Sequence, residues 1–306
     1  FGEFTAVDNI DLNVQRGEVV GFLGPNGAGK STTMKMLTGF LEPDSGDILI
    51  NNIDLKSEPL KAKEFIGYLP EGAPSYSDME VSEFLSFIGK MRGINNNQLL
   101  NARLDEMANQ INLKEVWNKP IETLSKGFKR RVGIAQALIH DPDILILDEP
   151  TDGLDPNQKH EMRNLIKTIS SNKAIVISTH ILEEVEAVCS RVIIIANGKL
   201  LANETPESLG NNLMQNNILS ITTTSKINNA TLKNIKSTLN YSNIKLEPLS
   251  KTSSKILING KDKTIDLNKI VTQLKKHKIT VTEAGLLKPN LDEIFRKITQ
   301  DKKIID

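Results

Sequence analysis

Residues 24 to 31 read Gly24-Pro25-Asn26-Gly27-Ala28-Gly29-Lys30-Ser31, which is G-x-x-x-x-G-K-[ST] with every fixed position filled. Glycines at this spacing let successive backbone N–H groups turn inward and cradle phosphate oxygens. A helix opening at the loop adds partial positive charge. Lys30 is placed to reach the β- and γ-phosphates, and Ser31 to hold Mg²⁺. The motif follows the apolar run Val19-Val20-Gly21-Phe22-Leu23 and leads into a helix-like stretch through Met34, Leu37 and Thr38. That strand–loop–helix order separates a phosphate-binding loop from a glycine-rich turn that binds nothing. The residues point to a nucleoside triphosphate without saying what its energy drives.

Further candidates lie downstream. Asp148 and Glu149 end the apolar run Ile144-Leu145-Ile146-Leu147. An acid at the carboxyl end of a buried strand reaches the Mg²⁺ of a phosphate loop, directly or through water. The next acid is placed to polarise a water for attack on the γ-phosphate. Without the loop this pair would read as a solvated strand end. Leu124-Ser125-Lys126-Gly127-Phe128 precedes a helix pattern with Val132, Ala135, Leu138 and Ile139 on one face. Taken alone, Ser-x-Gly in that place is a helix cap. Ser178-Thr179-His180 ends another apolar run, where a single histidine is ordinarily structural.

The elements that must position these residues are legible in outline. Residues 1 to about 70 read as β-rich around the loop and its helix, and 72 to 140 as helical, with Asn95-Asn96-Asn97 and Asn118-Lys119-Pro120 as interruptions. Ile144–Leu147, Ala174–Ser178 and Val192–Ile195 are continuous apolar runs, as strands buried on both faces require. Strands alternating with helices predict a layered α/β core. After about residue 208 the composition shifts to Asn, Lys, Ser and Thr. Strand-like runs near 218–222, 243–247, 255–259 and 279–283 alternate with helix-like Leu232/Ile235/Leu239 and Leu267/Ile270/Val271/Leu274, and Leu291/Ile294/Phe295/Ile298 follows. The order matches a ferredoxin-like α+β unit.

Composition narrows the function classes. Lys+Arg and Asp+Glu are both 38, so no global field favours nucleic acid or an anionic surface. Lys126, Lys129, Arg130 and Arg131 read as a solvated helix face tuning a phosphate site. No run approaches the roughly 18 apolar residues a membrane span needs. A single cysteine, Cys189, excludes an intrachain disulfide framework and suits a reducing cytosol. Its spacing from Ile181, Val185 and Val188 places it in the buried face of a helix.

Four motifs in order carry a resemblance. Gly24–Ser31 is the phosphate loop, Leu124–Phe128 resembles the LSGGQ signature, Asp152-Gly153-Leu154-Asp155 resembles a D-loop, and Ser178-Thr179-His180 resembles a switch histidine. The chain is thereby similar to ATP-binding cassette (ABC) ATPases over about residues 1 to 208, with a helical subdomain at about 72 to 140 and an accessory domain at 213 to 306. The resemblance implies an ABC cassette of the P-loop α/β class, ATP and Mg²⁺ as cofactors, and ATP hydrolysis. ATP would be held by Gly24, Pro25, Asn26, Gly27, Ala28, Gly29, Lys30, Ser31 and Thr32, with Phe1 stacked on adenine. A head-to-tail dimer, of like chains or with a second ABC subunit, would bring Ser125, Gly127 and Asp155 to the partner's nucleotide. Catalysis would fall to Glu149, His180 and Lys30, and Mg²⁺ to Ser31, Asp148 and Glu71. If Phe1 is the stacking residue, the chain begins just inside its domain. Two positions depart from the pattern: Glu71 stands where the family has a glutamine, and Phe128 takes the last signature position. A glutamate still binds Mg²⁺ but donates no hydrogen bond, and Phe128 would pack.

Gly24–Thr32, Ile139-His140-Asp141-Pro142, Thr179–Val185 and Leu291–Phe295 resemble ATPase subunits of bacterial exporters, including drug-resistance and gliding-motility types. These pair with a membrane permease, here expected to dock on the helical insert near Tyr76, Ser77 and Asp78. The chain would then be peripheral at the cytoplasmic face of the cell membrane. Two rival readings remain open: a soluble ABC ATPase acting on ribosomes or nucleic acid, and an ATP sensor that does not hydrolyse. One phosphate loop and no long coiled coil argue against the first, and Glu149 with His180 against the second.

Overall fold

The computed structural model describes residues 2–73, 75–212, 218–224, 227, 243–248, 253–259, 266–277 and 279–286. The chain divides into two compact units, the first running to Pro206 and the second beginning at Glu207.

The first unit is built on a six-stranded sheet. Its elements in chain order are β1 (Val19–Leu23), α1 (Lys30–Leu37), the two-residue strands β2 (Leu49–Ile50) and β3 (Ile53–Asp54), α2 (Pro59–Glu64), β4 (Ile66–Leu69), α3 (Val81–Met91), α4 (Asn97–Gln110), α5 (Lys126–Leu138), β5 (Ile144–Asp148), α6 (Pro156–Ser170), β6 (Ala174–Thr179), α7 (Leu182–Val188), β7 (Arg191–Ala196) and β8 (Lys199–Glu204). The strand order is β4-β5-β6-β1-β7-β8, parallel except for the antiparallel edge β8. The apolar runs are explained by what covers the two faces. Leu145, Leu147, Ile175 and Ile177 pack with residues of α5 and α6, whereas Ile146, Val176, Val20 and Phe22 pack with Met34 of α1. Alternate residues of one strand thus enter different cores, and every position must be apolar.

The helical insert forms around Phe84, Leu85, Met107, Ile111 and Leu113, all buried with Val132 and Leu138 of α5. The Asn95–Asn97 interruption is a helix start: the Asn96 side chain accepts from the N–H groups of Gln98 and Leu99, at 2.9 and 3.0 Å, and caps α4. The stretch ending at Pro120 supports α3, because Lys119 and Trp117 carbonyls accept from Val81 and Ser82 N–H.

Two expectations are corrected. Residues 2–17 carry no strand, so β structure before residue 70 is confined to β1, the β2–β3 pair and β4. Cys189 follows α7, in extended conformation, with its Sγ against Gly21 of β1. Gly21 leaves the space that sulfur fills, and burial pushes the thiol up to about 12.

Helix α8 (Pro206–Asn212) crosses the division, and the second unit holds β9 (Ile218–Thr223), β10 (Asn243–Pro248), β11 (Ser254–Asn259), α9 (Leu267–Lys276) and β12 (Val281–Leu286). Its sheet runs β10-β11-β9-β12 with each neighbour antiparallel. Ile270 and Leu274 of α9 bury against Leu219, Ile221, Ile256 and Ile258. The helix-like runs Leu232/Ile235/Leu239 and Leu291/Ile294/Phe295/Ile298 lie outside the described residues.

Candidate active site

The phosphate loop joins β1 to α1. Gly29 has φ +106°, and a Cβ there would lie 2.5 Å from the Ala6 carbonyl oxygen. Both facts demand glycine. Gly24 is fixed differently: its Cβ would meet the Ile195 carbonyl oxygen at 2.5 Å. Gly29 caps α1 without offering a side-chain acceptor. The first helical N–H groups therefore keep their donor capacity for an anion. Lys30, buried, bends back so that its Nζ donates to the carbonyls of Gly24 at 2.8 Å and Pro25 at 3.3 Å. Burial lowers its pKa, opposed by Glu149, Asp148 and Glu71.

Sheet register builds the acidic side. Asp148, the last residue of β5, stands opposite Ser178 of β6. The Ser178 hydroxyl donates to Asp148 and accepts from the Glu149 N–H at 3.2 Å, while the same N–H reaches the Ser178 carbonyl at 3.1 Å. Glu149 then leaves the strand with φ +49°. A left-handed glutamate costs on the order of 1–3 kcal/mol and persists only where its surroundings impose it. The turn sets the Glu149 carboxylate against the ring of His180, whose Nδ1 is 3.0 Å from both oxygens. Lys30 Nζ lies 3.9 Å from Glu149 Oε1. Burial raises the Glu149 pKa, with His180 and Lys30 pulling it down and Asp148 adding to the rise.

Lys30, Asp148, Glu149 and His180 are thus brought together, and Glu71, exposed beyond β4, adds its charge to the field at Lys30. Ser31 and Thr32 stand in the first turn of α1. Phe1 lies outside the described residues. Ser125, Gly127 and Asp155 form a separate group. Ser125 caps α5 by accepting from the Phe128 N–H at 3.3 Å, and Asp155 caps α6 by accepting from the Gln158 N–H at 2.9 Å. A Cβ at Gly127 would meet the Gln158 side chain at 2.9 Å, so the signature turn rests on the start of α6.

Phe128 packs, as its apolar ring requires, partly against the helical core and under Arg131, whose Cζ is 5.8 Å from the ring centroid. The basic stretch is not uniformly solvated. Arg130 is 7% exposed and its Nη1 has no hydrogen-bond partner among the described residues. It faces Asp152, Glu71, Glu149 and Asp148. Sequence reasoning missed this burial and missed the bridging role of Ser178. Only the β5–β6 register pairs Ser178 with Asp148.

The sequence profile described as "ABC transporter" matches residues 7–152. The linearmycin resistance ATP-binding protein LnrL of Bacillus subtilis (strain 168) is 34% identical over 300 residues, covering 98% of this chain and 95% of that protein. The ABC transporter ATP-binding protein NatA of the same strain is 38% identical over 206 residues, covering 67% of this chain and 83% of NatA. Among solved structures, a dimeric ATP-binding cassette in a post-hydrolysis state with ADP and Pi superposes with a TM-score of 0.61 at 26% identity, over 66% of this chain and 91% of that one.

Proposed function

This chain belongs to the ABC transporter family of ATP-binding proteins, and from that premise we propose that Lys30, Asp148, Glu149 and His180 form the hydrolytic centre of an exporter's ATPase subunit. Binding and hydrolysis of ATP are the family's activity, and this chain is an ATPase of it. The observation that carries the site assignment is the meeting of His180 Nδ1 with both Glu149 oxygens at 3.0 Å beside buried Lys30.

In this reading the N–H groups of Gly27 to Thr32 receive the β- and γ-phosphates. Lys30 exchanges the Gly24 and Pro25 carbonyls for phosphate oxygens. Ser31, Asp148 and Glu71 would hold Mg²⁺. They are hard oxygen donors of the kind it takes in ones and twos, and three acids, Glu71, Asp148 and Glu149, face the site alongside the cations Lys30 and Arg130. Bound there, Mg²⁺ neutralises charge on the phosphates. Glu149, its proton affinity raised by burial, accepts the proton of the attacking water. His180 holds that carboxylate in place and senses the γ-phosphate. Ser125 and Asp155, exposed and satisfied locally as caps, with Gly127 buried in the turn between Ser125 and α6, would meet the nucleotide of a second ABC subunit, like or unlike.

The permease docks on α3 and its approach. Tyr76, 56% exposed, stacks edgewise on Phe84 and Phe87 at 6.2 and 5.7 Å, beside Ser77 and Asp78. No helix among the described residues is long and apolar enough to cross a membrane. In this reading the chain works peripherally, at the cytoplasmic face, with a separate permease supplying the path. Residues 1–208 are the nucleotide-binding domain, and 213–306 an accessory domain for dimerisation or regulation. Deleting the residues after 210 tests that role through dimerisation and transport.

Glu149→Gln tests the reading. ATP hydrolysis is expected to fall by about 10² to 10⁴ while ATP binding persists. Unchanged hydrolysis would overturn the site. The same variant, purified with ATP and Mg²⁺ from gently solubilised cells, should carry a polytopic membrane protein. Ribosomes or nucleic acid in its place would overturn the export reading.

A further inference from the structure

Behind His180 lies a buried acid that the hydrolytic reading does not use. Glu184, in the first turn of α7, is 5% exposed, and Thr179 is fully buried. The Thr179 hydroxyl donates to Glu184 Oε2 at 2.8 Å and accepts from the Ile181 N–H at 3.0 Å. The Ile181 carbonyl in turn accepts from the Glu184 N–H at 3.2 Å. His180 is the middle residue of the turn these bonds close. The second carboxylate oxygen, Oε1, lies 3.6 Å from Lys159 Nζ, in the first turn of α6, four residues beyond the cap Asp155.

A buried carboxylate is costly unless paired and hydrogen-bonded. An apolar side chain would fill the same volume without that cost, so the charge needs a reason. The geometry supplies one. A carboxylate accepts only, so the Thr179 hydroxyl must point its proton at Glu184 and its lone pair at the Ile181 N–H. One acid thereby fixes the orientation of the turn that aims His180 at Glu149. Lys159 extends the chain of contacts to the helix that Asp155 begins.

We propose that Glu184 is a positioning residue for His180, and that through Lys159 it ties the histidine's turn to the start of α6, behind the D-loop. The proposal rests on the hydrolytic reading of Glu149 and His180. It adds a contiguous route from the group around Asp155 to the group around Glu149.

The test uses the full chain with Mg²⁺ and ATP. Glu184→Ala should lower kcat about tenfold with the KM for ATP within about twofold, because the residue aims a side chain and touches no nucleotide. Glu184→Gln keeps an acceptor for Thr179 and should recover most of that loss. Thr179→Val should lower kcat as Glu184→Ala does, and the double variant should lose clearly less than the two losses combined, since both remove the Thr179–Glu184 bond. The chain has only four histidines, so the His180 ring resonance can be followed by NMR on histidine-labelled protein. It should shift in Glu184→Ala and return towards wild type in Glu184→Gln. Unmoved His180 resonances with wild-type kcat would overturn the proposal, as would losses that simply add. If Glu184→Ala does not fold, the near-isosteric Thr179→Val decides by the same two readouts. Glu149→Gln and His180→Ala serve as references. Should both hydrolyse at the wild-type rate, the site reading itself fails. Should both be inactive while Glu184→Ala and Thr179→Val match wild type, only the positioning role fails.

Discussion

The two groups of motif residues are held in opposite ways. Asp148, Glu149 and Ser178 are buried at the carboxyl ends of parallel strands, with Lys30 buried at the start of α1 and His180 at the rim; Ser178 bonds Asp148, and His180 meets Glu149. Ser125 and Asp155 are helix caps whose side-chain bonds stay within three residues of chain. The first group is assembled by sheet register and is complete within one chain. The second is made of local turns and presents a surface. On the proposed reading the first is finished inside the fold and the second only by a partner, so the two should fail differently when damaged.

Lys30→Met should break the first group outright. It removes the cation that Glu149, Asp148 and Glu71 face and the donor meant for the phosphates. We expect kcat/KM for ATP to drop by about 10³ or more, at any protein concentration. Steady-state hydrolysis checks this. A Lys30→Met protein that hydrolyses normally would dissolve the contrast between the groups.

Ser125→Ala should damage the second group in another manner. Loss of the cap costs about 1 kcal/mol, a shift of a few degrees in the melting temperature. Hydrolysis should fall by about tenfold, with ATP binding by the single chain unchanged. The loss should shrink as protein concentration rises, because assembly is what the change weakens. A deficit independent of concentration would place Ser125 in the complete site of its own chain.

What was legible in the sequence follows the same division. The phosphate loop is contiguous, so eight residues suffice to announce it. Ile144–Leu147 read as a buried strand because two cores claim its alternate residues, and Asp148 and Glu149 are found by following that strand to its end. The bridge from Ser178 to Asp148 was invisible, because 30 residues of chain separate two neighbours in register. Arg130 read as solvated because a basic run has no periodicity that marks one member as buried. Residues 1 to about 70 read as β-rich throughout, yet residues 2–17 form no strand. Local chemistry was legible, and chemistry made by tertiary pairing was not.

The smallest effect, and the one most particular to the buried group, concerns stability and pH. Glu149 has its pKa raised above the ordinary 4.5, chiefly by burial. The folded state therefore binds its proton more tightly than the unfolded chain does. As pH rises from 4.5 through the raised value, the unfolded chain releases the proton first, and folding stability is lost across that interval. Glutamine has no proton to lose. Glu149→Gln, whatever it does to hydrolysis, should melt above wild type at neutral pH, and the gap should close as pH falls below 4.5. Ser125→Ala should show no such pH-dependent gap, since its lost bond joins a hydroxyl to a backbone N–H. Melting curves of the three nucleotide-free proteins over that pH range separate the cases. A Glu149→Gln gap that is negative, or that does not change with pH, would mean that His180 and Lys30 offset the burial of Glu149, and the left-handed turn would then hold a carboxylate at no electrostatic cost.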